Sequence, residues 1–278
     1  MLAVDAARKR IGDRMTVQIA GLVHRPVTGP DGSNNRKALA AAIESGLDIV
    51  GGVSYFEPNV EEVLDILFDA ANDAALPIDL HVDETLDPSV LTLDTIAKRV
   101  LDGGANHAVG ASHCVSLGMQ DDATQRAVSE RVAEAQVGIV TLPQTNLFLQ
   151  GRQHQQAMPR GLTAIRALED AGGRLCAGAD NVQDPFNPVG RSDPFETAAL
   201  LVMAGHRSSE DAIDLVSTRV REHMGVPQAG PVVGAVADFV AVNAHSIRHA
   251  IADAPGSRKV FRAGRLVAES TADSRLVD

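Results

Sequence analysis

PIDLHVDE, residues 77–84, is the stretch whose reading decides the fold. Strand alternation sets His81 and Asp83 on one face and Val82 on the other, and a helix-period run from Leu91 to Leu101 follows. The same succession of a short β-branched run and a longer helical one extends in both directions. Upstream, TVQIAGL (16–22) precedes an Ala-rich helix from about Arg36 to Ser45, and LDIVGGV (47–53) precedes one from about Val60 to Ala75. Downstream, NHAVGASH (106–113) is followed by a helix from Ala123 to Ala135. VGIVTLP (137–143) leads through a long polar loop to a helix from Leu162 to Ala171, and GRLCAGAD (173–180) to one from Pro194 to Ala204. Ser208-Ser209-Glu210 reads as the capped start of a further helix that ends near Met224. Six βα units predict a parallel sheet flanked by helices. A closed (β/α)8 barrel carries eight such units in about 250 residues.

The flanks read differently. AVDAARKRIGDRM (3–15) is a helix with no strand ahead of it, as the crossover from an absent strand would be. After Gly225, GPVVGAVADFVAVNA (230–244) and SRKVFRAGRLVAES (257–270) are strand-like, with a short helical segment around Ile247 to Ala252 between them. They read as a small β-appendage, and ESTADSRLVD (269–278) as a frayed tail.

Composition narrows the classes. The 278 residues suit one large domain, and at 45% hydrophobic and 22% charged they supply a sizeable core. A net charge of −11 argues against a nucleic-acid partner. No apolar run is long enough for a membrane span, and no apolar leader follows Met1. Cys114 and Cys176 make no disulfide framework, so a reducing, cytoplasmic setting is expected.

In a parallel α/β barrel the carboxyl ends of the strands face one opening, and reactive residues gather there. Three expected strands end in metal-type ligands: His81, Asp83 and Glu84 on one, His113 on another, Asp180 on a third. A divalent cation takes imidazole and carboxylate ligands and activates water. Glu84, where the chain leaves its strand, is placed to shuttle a proton without ligating. Taken singly, His113 reads equally as a satisfied core histidine, Asp180 as a loop cap, and Asp83 as a residue that orients a neighbour. Cys114 and His113 are adjacent on a strand and point apart, which excludes a Cys–His nucleophile.

HVDE (81–84) followed by ASH ending at His113 resembles the cytosine deaminase branch of the amidohydrolase superfamily. PQTNLFLQGR (143–152) is similar to that branch's NxxLQGR segment, and RGLTAIRALEDAGGRLCAGADNVQDPFNPVG (160–190) to its RG-helix-strand-Asp-DP-PxG run. GPVVGAVADFVAVNA and VFRAGRLV (260–267) resemble the return strands of the superfamily's small β-sandwich. The resemblance implies metal ligation by His81 and Asp180, a proton shuttle at Glu84, and a His113 that holds or polarises the attacking hydroxide. It implies substrate contacts for His24, Gln150 and Asn181, with Arg152 shaping the same loop. One divalent ion, zinc or iron, would be the cofactor.

The family's opening His-x-His strand has no counterpart here. The implied fold is therefore a (β/α)8-type TIM barrel lacking its first two strands, with a β-sandwich remnant at the C-terminus. Its expected parts are a partial barrel over 1–226 (leading helix 1–15), the remnant over 227–268 and a flexible tail over 269–278. The expected function is metal-dependent hydrolysis of a non-peptide C–N bond, deaminating cytosine or a related amino-heterocycle. Asn181 stands where cytosine deaminases often carry Asp, so another amino-heterocycle or an amide is as plausible a substrate. The competing expectation is a catalytically inactive or incomplete fragment without the His-x-His ligands. A homo-oligomer is compatible with either.

Overall fold

Each β-rich run pairs with its neighbours in the order in which it occurs along the chain. The computed structural model describes residues 2–277; Met1 and Asp278, the outermost residues of the expected leading helix and tail, lie outside the described residues. Helix α1 (Leu2–Ile11) precedes β1 (Ala20–Leu22), α2 (Ser33–Glu44), β2 (Ile49–Val53), α3 (Val60–Ala74), β3 (Ile78–Val82) and α4 (Thr92–Leu101). Then come β4 (Val109–His113), α5 (Asp122–Glu134), β5 (Gly138–Thr141), α6 (Pro143–Leu149), α7 (Ile165–Asp170) and β6 (Arg174–Ala177). These strands form one parallel six-stranded sheet in the order β1-β2-β3-β4-β5-β6. Helices α8 (Pro194–Met203), α9 (Ser209–Leu215) and α10 (Thr218–His223) follow. Strand β7 (Phe239–Val242), α11 (Ile247–Asp253), β8 (Arg258–Arg262) and β9 (Arg265–Ser270) complete the chain, with a separate antiparallel sheet of order β7-β8-β9. Among the described residues no helix is long and apolar enough to cross a membrane.

The core lies between the sheet and its helices. In β3, Ile78, Leu80 and Val82 are buried against the helical layer that contributes Leu64, Leu67, Phe68 and Ile96. Asp79 and His81 occupy the opposite face and are half-buried. At the amino end of that face, His223 of α10 places Nε2 3.2 Å from Asp79 Oδ2. Glycines make the room. A Cβ on Gly138 would sit 2.6 Å from His223 Nδ1, and one on Gly110 2.9 Å from the Asp79 carboxylate.

All six expected strands are present, with corrections at the edges. TVQIAGL pairs only over Ala20–Leu22, because its partner β2 does not begin until Ile49. The loop expected after VGIVTLP contains α6, which Pro143 starts from a first-turn position where a missing N–H costs nothing. The single helix expected over 208–224 is two, broken at Ser217, whose hydroxyl donates to the Ile213 carbonyl at 2.5 Å and whose backbone leaves helical geometry. In the C-terminal region only Phe239–Val242 of the longer expected run pairs as a strand, stacking Phe239 on Phe261 of β8. Residues 269 and 270 belong to β9, and the Ala272 N–H still reaches the Ser257 hydroxyl. The described residues hold one antiparallel layer there and no second sheet against it.

Two carboxylates pin this architecture. Asp83, wholly buried just beyond β3, accepts the backbone N–H groups of Thr92 (3.0 Å) and Leu93 (2.9 Å) at the start of α4. Burial pushes its carboxyl up, and those hydrogen bonds oppose the shift. Asp193 caps α8 through the Phe195 N–H and takes Arg258 of β8 in a bidentate pair at 2.9 and 2.7 Å, which ties the small sheet to the start of α8. Asp83→Ala orphans two buried donors and should cost about 2–3 kcal/mol in urea unfolding, with Asp83→Asn, which keeps one acceptor, falling between. The Arg258 guanidinium holds the Asp193 carboxyl below the usual carboxylate range. Its contribution is therefore complete above the unfolded pKa of about 4 and is lost as pH falls through the depressed folded value. Asp193→Asn keeps a capping oxygen without the charge, so its melting temperature should lie below that of the parent at pH 7 and converge with it towards pH 2.

Candidate active site

The carboxyl ends of β3, β4 and β6 bring four sequence-predicted side chains together. His81 lies within β3, and Val82 pairs with His113 of β4. Strand alternation alone would send the His113 side chain to the helical side with Val82. Instead His113 adopts φ +69°, and its ring lies 4.7 Å from that of His81. Asp83 shows the converse: alternation would put it beside His81, but φ +51° turns it to the amino end of α4. Asp180, at φ +60° beyond β6, is the third such turn. Its Oδ2 lies 3.8 Å from His113 Nε2.

Glu84 closes the group from the β3–α4 loop. Its Oε1 is 3.5 Å from His113 Nδ1 and from the side-chain amide of Asn146, and its Oε2 receives a long contact, 3.4 Å, from the Tyr55 hydroxyl. The Glu84 backbone carbonyl accepts from Gln150 Nε2 at 3.2 Å. Burial first, and the Asp180 charge second, push the Glu84 carboxyl up to about 7. Burial and then the neighbouring His81 push His113 down to about 3, so its ring is neutral at pH 7. Burial also raises Asp180, opposed by His81. A carboxyl that titrates near neutrality beside a neutral imidazole can both take and return a proton.

The donor set fits a divalent cation. One nitrogen each from His81 and His113 and one oxygen from Asp180 lie within 4.8 Å of one another. Ligand bonds of about 2.0–2.2 Å span at most about 4.4 Å, so small rotations would bring His81 and Asp180 onto one ion with His113 Nε2 beside it. His113 Nε2 is buried with no hydrogen-bond partner, an atom aimed into a space that a polar group must complete.

The other expected residues are placed less centrally. Asn181 adjoins Asp180, yet its Oδ1 accepts from Thr145 Oγ1 at 3.0 Å and its Nδ2 donates to Asp184 at 2.7 Å, so its amide braces the loop. Gln150 likewise spends its amide on the Glu84 carbonyl. His24 is exposed, with Nδ1 2.5 Å from the Arg25 carbonyl oxygen and no hydrogen bond to the cluster. Arg152 is exposed, donates to the Phe148 carbonyl and lies over the Phe148 ring. Sequence reasoning missed Tyr55 and Asn146. Tyr55, the chain's single tyrosine, stands just past the end of β2, where the strand-end rule could have found it.

A family profile described as "Amidohydrolase family" matches residues 6–268. The chain is 36% identical over 245 residues to a pterin deaminase of Rhizobium rhizogenes (strain K84 / ATCC BAA-868), covering 86% of this chain and 56% of that protein. It is 25% identical over 275 residues to N-isopropylammelide isopropyl amidohydrolase of Pseudomonas sp. (strain ADP), covering 95% and 64%. The chain thus spans less than two thirds of the length of these relatives. Among solved structures, 5-methylcytosine deaminase from Klebsiella pneumoniae liganded with 5-fluorocytosine superposes with a TM-score of 0.86 at 23% identity, over 99% of this chain and 68% of that one. N-isopropylammelide isopropylaminohydrolase from Burkholderia multivorans ATCC 17616 gives 0.79 at 26%, over 96% and 66%. The fold is that of these proteins, and with a profile matching nearly the whole of it the chain belongs to the amidohydrolase family.

Proposed function

We propose that this chain carries the reacting half of a metal-dependent hydrolase that deaminates an amino-substituted nitrogen heterocycle, of the cytosine or pterin class. The observation that carries the reading is the convergence of His81, His113 and Asp180 within 4.8 Å, with Glu84 beside them. The 36% identical pterin deaminase and the superposed 5-methylcytosine deaminase support the substrate class. An assembled cluster favours this reading over that of an inactive fragment.

His81 and Asp180 would hold the ion, zinc or iron. When bound, a divalent cation supplies Lewis acidity that makes water a nucleophile near neutral pH. Glu84 carries one proton from the attacking water to the ring nitrogen, and then the second, from the resulting hydroxyl, to the exocyclic amine. A C–O bond forms at the ring carbon, the exocyclic C–N bond breaks, and ammonia leaves. His113, kept neutral by burial, steadies the attacking oxygen and the charge that develops at the tetrahedral carbon. Gln150 fixes the Glu84 loop from the carbonyl side, and the Thr145–Asn181–Asp184 chain of hydrogen bonds holds Asp180 in register. His24, two residues beyond the end of β1, would contact a substituent of the substrate.

Ammonia release from cytosine, 5-methylcytosine and pterin should fall about 10²–10⁴-fold in Glu84→Gln, with the melting curve unchanged. Parental turnover in that variant would refute the proton role. Calorimetric zinc titration of the metal-stripped chain should show one site, with affinity at least about 10-fold weaker in His81→Ala and in Asp180→Ala. Equal affinity in all three proteins would remove the metal from the reading.

A further inference from the structure

With seven phenylalanines, one tyrosine and no tryptophan, the chain has few aromatic rings to place, and it sets two of them side by side just past β2. The Ser54 N–H donates to the His81 carbonyl at 3.4 Å, so the loop after β2 starts beside the cluster. Tyr55 follows, its hydroxyl 3.4 Å from Glu84 Oε2. Its ring centroid lies 4.2 Å from that of Phe56, with the planes tilted by 36°. The Arg25 guanidinium carbon, from the loop after β1, is 4.3 Å from the Phe56 centroid. Glu84, Tyr55, Phe56 and Arg25 thus form a continuous strip from the cluster outwards. Glu84 and Tyr55 are half-buried, Phe56 is 53% exposed, and Arg25 is exposed.

The two loops that carry this strip are tied together by a buried carboxylate. Glu57, next in sequence to Phe56, accepts the Val27 N–H at 2.8 Å and the Thr28 hydroxyl at 2.7 Å, one on each oxygen. A buried carboxylate is costly without such partners, and here the loop after β1 supplies both. Glu62 of α3 accepts the Gly29 N–H of the same loop at 2.9 Å. Arg25 is therefore held near Phe56 by fixed backbone. A lone exposed phenylalanine needs no explanation. An aromatic and cationic strip that runs on from a half-buried carboxylate is suited to a flat ring system with polar atoms at its edge.

We infer that Tyr55, Phe56 and Arg25 are a substrate-contacting strip, in which Phe56 and Arg25 receive the second ring of a fused bicyclic amino-heterocycle of the pterin type. The inference rests on the deaminase reading, which puts the amino-bearing carbon beside Glu84. A one-ring pyrimidine so placed reaches no further than Tyr55. A fused second ring extends the same plane outwards to Phe56, and its ring nitrogens accept from the Arg25 guanidinium, which has donors and no acceptor. The strip selects two rings over one.

The test compares pterin with cytosine. In Phe56→Ala and in Arg25→Gln of the full chain, the pterin-to-cytosine ratio of kcat/KM should fall about 10-fold, chiefly through the KM for pterin. Phe56→Tyr, which keeps the ring, should hold the ratio near the parental one. A fall of less than about threefold in both truncating variants overturns the inference. Titrating the intrinsic fluorescence of pterin with the full chain, with and without zinc, needs no turnover. Its dissociation constant should rise about 10-fold in Phe56→Ala, and a parent chain that binds no pterin, or binds it no better than that variant, overturns the inference. Failure of the deaminase reading alone would look different: pterin binding weakened by Phe56→Ala, with no ammonia released by the parent from either heterocycle.

Discussion

The site depends on three strand ends that stop being strands by turning left-handed. Asp83, His113 and Asp180 all take positive φ, a region that costs an L-residue about 1 kcal/mol or more and that Asp, Asn and His tolerate best. Each turn reassigns a side chain. Asp83 leaves the face of His81 for the amino end of α4, His113 leaves the helical side for the face of His81, and Asp180 comes round to meet it. The hydrogen bonds Asp83 makes to α4 fix where the β3–α4 loop starts, so Glu84, one residue on, is aimed by its neighbour's anchoring. The parallel sheet supplies the rigid frame, and the turns decide what faces its mouth.

Burial then sets the charges. His113 is buried, His81 and Glu84 are half-buried and Asp180 lies on the open side, and the penalty for carrying charge in this space lowers His113 and raises Glu84 and Asp180. Two carboxylates near one another would be costly without a cation, and the His81–His113–Asp180 grouping is where such a cation would discharge that cost. Two of the buried polar atoms left without partners, His113 Nε2 and Asn146 Oδ1, lie in or beside this space, while Ser129 Oγ is one that lies in the helical layer, within α5.

Much of this was legible in the residues. β-branched runs such as LDIVGGV and VGIVTLP announce buried parallel strands because both of their faces are covered, and β2 and β5 fall where those runs are. His81, Glu84, His113 and Asp180 were each visible as strand-end ligands because the barrel rule needs only topology. What alternation could not supply was direction at the turns: period-two reasoning placed Asp83 with His81, and backbone dihedrals moved it. Helix α6 was hidden because Pro143 and Gln144 read as loop residues, and with it went Asn146, whose significance lies in partners 33 and 62 residues away. The break at Ser217 turns on one hydroxyl choosing a carbonyl, which no propensity sum contains.

At the opposite end of the sheet, the volume given up at Gly110 and Gly138 is the volume that His223 and Asp79 occupy. Those four positions form a closed ledger of space and cannot drift independently. A methyl group at residue 138 would meet the imidazole at 2.6 Å and oblige it to shift, and shortening residue 223 would widen the open space beneath β4 and β5. Genetic change here must come in concert, so substitutions at these sites in descendant sequences should be found together or not at all.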